Sequence, residues 1–437
     1  MESAEKEFRI LESLRCQTDK VYHQLLYQYQ NAGVELIIDN LSRLRFCLLA
    51  DGVGVGKTCQ TIVACGMLGR RTLVVVPKML LIKWQREVEK FGNGAKASII
   101  SKPGDFEKAN GLFVITSYDY AKLHLAKFHR FEFKVIVFDE CQFLKSSESA
   151  RTKRLLPFAE GKKVICITAT PFTKCPTDVW PILYHLCPES IDGAGFYAFA
   201  LRYMYKVTDN YGHEMFRGGK NLQELGQRLR CFGMIRRTKE KILPYLPKFS
   251  IEVVELETGY KRKAFDRLDF VGEVLALPLD EISSARAEYA EAKKTLALDF
   301  IRLMLENEEK IVIFAHHKTM VDYLVTELKC LKIDGSMSPT ERQKSLDSFQ
   351  NNPEELAIVC SISACAFGIE LTASSIAIFV EYSWSAEENM QALGRLVRIG
   401  QTKHTNCYYT VCKDTMDAYM IKKCIEKERV SNNILTN

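Results

Sequence analysis

The chain has 437 residues, of which 47% are hydrophobic and 26% charged. That length exceeds what one core organises and points to two or three domains, and the balance excludes a disordered or fibrous chain. Basic residues number 60 against 54 acidic, a net charge of +6 that permits a polyanionic partner without demanding one.

The N-terminal MESAEKEFRI has no apolar signal core, and no later run approaches the roughly 18 uninterrupted apolar residues a membrane span needs. No membrane partner is expected. The 15 cysteines are odd in number and scattered through apolar stretches, the pattern of buried thiols in a reducing intracellular compartment. Cys360/Cys365 and Cys407/Cys412 share one spacing, but each begins or ends in a strand-like run with no clustered histidines, so zinc is not expected.

Phe46 to Leu49 reads as a short buried strand, and ADGVGVGKT follows it from Ala50 to Thr58. A glycine-dense turn between strand and helix leaves backbone N–H groups pointing into one hollow, which a polyphosphate fills. Asp51, Gly52, Gly54 and Gly56 would line it, although Asp51 stands where G-x-x-x-x-G-K-T has its first glycine. Lys57 would reach the β and γ phosphates and the Thr58 hydroxyl would ligate Mg²⁺. The chain is therefore expected to consume a nucleoside triphosphate.

Further apolar runs, at Leu73–Val76, Phe113–Thr116, Val135–Phe138 and Val164–Thr168, alternate with helical stretches. That grammar implies a parallel sheet covered on both faces. VIVFDE puts Asp139 and Glu140 at the carboxyl edge of a strand, where open α/β sheets bind ligands. Asp139 would hold Mg²⁺ through water, and Glu140 would orient or deprotonate the attacking water.

Between Pro176 and about Leu298 strands are few, and NLQELGQRLR and SARAEYAEAKKTLALDFIRLML read as helices. IEVVELE, Ile251 to Glu257, reads as a strand crossing between lobes. A second strand series follows at Ile311–Phe314, Ala357–Cys360, Ile376–Val380 and Cys407–Val411, with a closing helix and a frayed end from Asp414. QALGRLVRIGQ sets Arg395 and Arg398 three apart, on one face if helical. Two cations from a second domain could meet the γ-phosphate when lobes close, making hydrolysis contingent on closure. Trp84 and Trp384 are expected in the core, and His316 and His317 in structural roles.

In combination, YQNAGV, ADGVGVGKT, LVVVPKMLLIKWQREVEKF, ITSYD, FDECQFLKSSES, ITATPF and IRRTKEKILPYLP resemble, in order, the Swi/Snf-type DNA translocases of helicase superfamily two. The resemblance covers nearly the whole chain. KIVIFAHHK, IDGS, SISACAFGIELTAS, FVEYSW, FALRY and GGKNLQEL are similar to the annealing-helicase, fork-remodelling branch, reduced here to a nearly bare motor.

This resemblance implies an α/β fold of two RecA-like lobes with parallel sheets and helical insertions: residues 1–175 the first, ATP-binding lobe, 176–298 the insertions and linker, 299–437 the second lobe. It implies ATP and Mg²⁺ as cofactors, Gln30 as the adenine reader, and Lys78, Lys83, Ser117, Tyr118, His317 and Lys318 as nucleic-acid grips. The implied activity is an ATP-dependent translocase on duplex or branched DNA, working as a monomer, with replication or recombination proteins as further partners, in a compartment with access to DNA. A strand-separating helicase and a non-hydrolysing DNA-binding scaffold are the alternatives. The family pattern is departed from at Cys141 and Gln142 of DECQ, at Ala169, at Glu370 and at Val397, none of them a phosphate, Mg²⁺ or arginine position.

Overall fold

The computed structural model describes residues 20–169, 171–172, 175–208, 214–243, 247, 249–259, 279–307, 309–365, 369–383, 386–398, 400–413, 415 and 417–421. Trp384 and the tail beyond 421 lie outside them. The chain forms two compact units, one reaching Pro244 and the other beginning at Tyr245.

The first unit is built on a seven-stranded sheet. Its strands are β1 (Phe46–Leu49), β2 (Thr72–Val76), β3 (Ala97–Ile100), β4 (Phe113–Ser117), β5 (Val135–Asp139), β6 (Lys163–Ile167) and β9 (Met234–Ile235), in the order β3-β4-β2-β5-β6-β1-β9. Every pairing in it is parallel. All residues of β1, β2, β4 and β5 are buried, because crossover helices such as Lys57–Leu68, Leu81–Phe91 and Ala150–Ala159 cover the sheet. This is why those strands are continuous apolar runs rather than alternating ones. The helix Lys57–Leu68 stops where Gly69 adopts φ +58°, a left-handed cap that costs a glycine little.

Two features lie where the sequence shows few strands. Tyr205–Thr208 (β7) and Glu214–Arg217 (β8) form an antiparallel hairpin apart from the main sheet, and β9 joins the sheet edge beside β1. A two-residue strand carries too few positions for any periodicity to reveal it.

The second unit holds β10 (Phe249–Leu256), β11 (Ile311–Ala315), β12 (Leu331–Ile333), β13 (Ala357–Ser361), β14 (Ile376–Phe379) and β15 (Thr405–Cys412), all parallel, in the order β10-β15-β14-β11-β13-β12. The IEVVELE segment is an edge strand of this sheet, in register with the whole of β15. It is only partly buried along its length, as an edge position allows. The 27-residue helix Leu279–Leu305 packs Ala297, Leu298 and Ile301 onto the sheet. It also carries Lys293 into the core, 2% exposed, where the ammonium donates to the Asp417 carboxylate at 2.7 Å and the Thr410 carbonyl at 2.8 Å.

Removing one member of a buried ion pair strands the other charge, which costs more than the pair contributes. Lys293→Met should therefore lower unfolding free energy by about 3–5 kcal/mol, and adding Asp417→Leu should restore much of it. Urea unfolding of the two variants checks this.

Candidate active site

The loop after β1 is held from below by a buried ion pair. Asp51 is fully buried, and its two carboxylate oxygens accept from Arg237 Nε at 3.2 and 3.1 Å and from Arg237 Nη2 at 2.5 Å. The backbone N–H of Arg237 adds a bond to Asp51 Oδ1 at 2.8 Å. Arg237, itself 5% exposed, also donates to the Tyr29 carbonyl and the Gln60 side chain. Its neighbour Arg236 donates to the carbonyls of Ala50 and Ala169, both at 2.6 Å. The end of β9 thus ties the nucleotide-loop strand to the strand that ends at Ile167.

The Asp51 side chain anchors the loop, and burial with both oxygens engaged leaves that carboxylate no face toward a ligand. Gln30, the expected adenine reader, is 4% exposed; it donates to the Tyr29 hydroxyl and the Val55 carbonyl, each at 3.2 Å, and accepts from Tyr27 N–H at 3.0 Å. The amide braces the back of the loop. A Cβ on Gly56 would collide with the Gln30 amide nitrogen.

Above this base the loop has the shape of an anion cradle. Gly54 and Gly56 both sit at φ +78°, a region open to glycine and strained for other residues. Among the described residues, the backbone N–H groups of Gly54 through Thr58 make no hydrogen bond. The Lys57 ammonium bridges two carbonyls of its own loop, Asp51 at 2.9 Å and Gly52 at 2.8 Å. Burial pushes it down to about 8, against the opposing charges of Glu140 and Asp51. Thr58, half-buried, has its hydroxyl unbonded among the described residues.

The carboxylate pair stands at the end of β5. Trp84, 1% exposed as expected of a core residue, has a second role: its indole N–H donates to Asp139 Oδ2 at 2.7 Å. Burial, reinforced by Glu140, pushes the Asp139 carboxyl up to about 6. Glu140 lies in the left-handed region at φ 52°, ψ 53°, a conformation that costs a non-glycine residue about 1–2 kcal/mol and turns its side chain out of the strand direction. Gln142 of the DECQ departure donates to Glu140 Oε2 at 2.7 Å, so this amide fixes the carboxylate's rotamer.

The remaining candidates divide. Lys78 is exposed and Lys83 half-buried where the chain leaves β2. The Ser117 hydroxyl caps the helix Tyr118–Leu123 by accepting from Tyr120 N–H, and Tyr118 is buried, stacked on Phe138 and Phe143, with its hydroxyl donating to the Asp139 carbonyl at 2.8 Å. Both side chains, expected at a nucleic-acid surface, are engaged in the fold. In the second unit Lys318 is exposed, and the His317 ring meets Glu381 at 2.5 Å while Glu381 also accepts the N–H groups of His316 and His317. Arg395 and Arg398 follow the helix Ala386–Leu393 rather than sharing a face of it, since the helix ends before Gly394. Arg395 Nε donates to the Cys365 carbonyl at 2.9 Å, and Arg398 pairs with Glu370 at 2.8 Å. Glu370 is the departure from the family pattern, and here it holds the second arginine.

Arg237→Ala should cost about 3–5 kcal/mol by leaving the Asp51 charge buried alone, and should weaken nucleotide affinity along with it. Thermal unfolding and titration with a fluorescent nucleotide measure the two effects. The depressed Lys57 pKa sets a pH limit. The ammonium is present below about 8 and lost above it, whereas a bound polyanion holds its proton on. Nucleotide affinity measured in chelator should be flat from neutral pH to about 8 and then weaken, with Lys57→Arg removing the break.

Residues 29–301 match the SNF2-related domain, and residues 292–400 match the helicase conserved C-terminal domain. The SWI/SNF-related matrix-associated actin-dependent regulator of chromatin subfamily A-like protein 1 of Xenopus laevis is 31% identical over 425 residues, covering 93% of this chain and 43% of that protein. The DNA annealing helicase and endonuclease ZRANB3 of Homo sapiens is 28% identical, covering 94% of this chain and 40% of that one. An uncharacterized ATP-dependent helicase of Mycoplasma pneumoniae is 27% identical, with 94% and 42% covered. The chain spans less than half the length of these relatives. With its glycine loop and Asp-Glu pair set on one parallel sheet, and a second parallel-sheet unit carrying the helicase C-terminal match, the chain belongs to the SNF2-related, Swi/Snf-type family of helicase superfamily two, on the side of its annealing-helicase relatives.

Proposed function

We propose that this chain is an ATP-dependent DNA translocase that acts on duplex or branched DNA, by branch migration, fork regression or strand annealing, without strong sequence specificity. The observation that carries this reading is the convergence of Lys57, which follows β1, with Asp139 and Glu140, at the end of β5, at the carboxyl edge of one parallel sheet in which β6 lies between those strands, close enough for both carboxylates to act on the Lys57 charge. A triphosphate fits the hollow, since five consecutive backbone N–H groups stand unbonded among the described residues beside a cation that rests on main-chain carbonyls. Lys57 would exchange those carbonyls for phosphate oxygens. Thr58 and Asp139 would hold Mg²⁺, which when bound neutralises charge on the β and γ phosphates.

Glu140, aimed by its left-handed backbone and by Gln142, would orient the attacking water and take up its proton. Arg395 and Arg398 are the proposed cations for the charge that develops on the transferred phosphate. Lys78, Lys83, His317 and Lys318 are the proposed backbone grips. Contacts of that kind hold phosphate irrespective of sequence and weaken with salt.

ATP turnover should rise with duplex or forked DNA beyond its value with single strands or RNA. Failure of every duplex to stimulate it refutes the translocase reading. Lys57→Ala should remove most turnover, and Arg398→Ala should lower it by about 10³. Glu370→Thr should change it by less than about fivefold, because a half-exposed ion pair contributes only about 0–1 kcal/mol. A comparable loss in both variants would mean that Arg398 acts only by holding Glu370.

A further inference from the structure

The segment from Phe196 to Lys220 contains seven Phe or Tyr among 25 residues, whereas aromatics make up 10% of the chain. Its helix, Phe196–Tyr203, turns Phe199 and Tyr203 into the core and leaves Tyr197 52% exposed. The hairpin β7/β8 follows. Side chains of paired strands alternate between faces, so Lys206 opposite Phe216 and Thr208 opposite Glu214 share one face. Tyr205 opposite Arg217 and Val207 opposite Met215 share the other.

The two faces differ in cover. Phe216 meets the Tyr197 ring edge-on, 5.6 Å between centroids, and Lys206 lies 5.8 Å over Tyr197 while pairing with Glu214 at 2.6 Å. That face is satisfied by the helix. On the other, Tyr205 is 56% exposed. Gly218, at φ +63°, folds the chain back so that Lys220 N–H reaches the Tyr203 carbonyl and its ammonium stands 5.8 Å over the Tyr205 ring. Arg217 and Lys220 make no ion pair among the described residues.

An exposed ring flanked by two cations without an ion pair among the described residues matches the chemistry of an unpaired nucleotide, which offers one π-face for stacking and a phosphate on either side. A duplex keeps its base faces inside the stack and could use only the cations. We propose that the Tyr205–Arg217 face of this hairpin is a binding site for single-stranded DNA, with Tyr205 stacked on a base and Arg217 and Lys220 on the adjacent phosphates. The inference rests on the reading of this chain as a DNA-acting protein, and it would give a motor that tracks duplex a separate hold on the unpaired strand of a branch.

The test is fluorescence anisotropy of the full chain with labelled oligo-dT and, in parallel, a labelled blunt duplex. Tyr205→Ala should weaken oligo-dT binding by at least about fivefold while the duplex affinity changes by much less, and Tyr205→Phe should keep the wild-type ratio of the two affinities. Arg217→Ala should lower oligo-dT affinity and flatten its salt dependence. Equal oligo-dT affinity in wild type and Tyr205→Ala overturns the proposal and leaves the face to a protein partner. If duplex fails to stimulate ATP turnover but the Tyr205 effect stands, the translocase reading falls and this site survives. Stimulation without a Tyr205 effect gives the converse.

Discussion

The ion pair between Asp51 and Arg237 is the constraint on which the first unit's chemistry depends. Two charges taken out of water at that depth are stable only with good geometry and with their remaining hydrogen-bonding groups satisfied. Here the guanidinium spreads its donors over the carboxylate, the Tyr29 carbonyl and the Gln60 amide, and the Arg237 backbone adds a further bond to Asp51. A loop with two glycines in left-handed conformations would otherwise be free to collapse into its own hollow. Fixed at Asp51 and braced by Gln30, it keeps its N–H groups turned outward.

Strain and desolvation are concentrated at the same edge of the sheet. Burial raises the pKa of the Asp139 carboxyl and lowers that of the Lys57 ammonium from their ordinary values, and Glu140 occupies a backbone region that non-glycine residues avoid. Each departure costs the resting protein stability. Perturbed groups gathered in this way are the usual signature of a functional site.

Much of this was legible in the residues. Strands buried on both faces are written as unbroken apolar runs, so the sheets of both units could be read from runs such as LVVV and IAIF, and the glycine loop announces itself because few other tasks call for that spacing before GKT. What could not be read arises from distance or from double use. Arg237 lies 186 residues from Asp51, in the IRRTKEKILPYLP string, where no spacing names its partner. Trp84 belongs to the core and also orients a carboxylate. Ser117 and Tyr118 stand in a motif associated with nucleic-acid contact, yet local capping and ring stacking absorb their side chains. The β10 strand could be recognised as a strand but not placed, since nothing in an edge strand's composition names its neighbour.

The two-residue strand β9 has a consequence for how the chain comes into being. Asp51 leaves the ribosome long before Arg237 does, and through that interval its carboxylate has no partner for burial. The latch on the glycine loop therefore closes only after translation has passed β9, and a shortened polypeptide ending near residue 175 would carry every recognisable nucleotide motif of that half while lacking that latch.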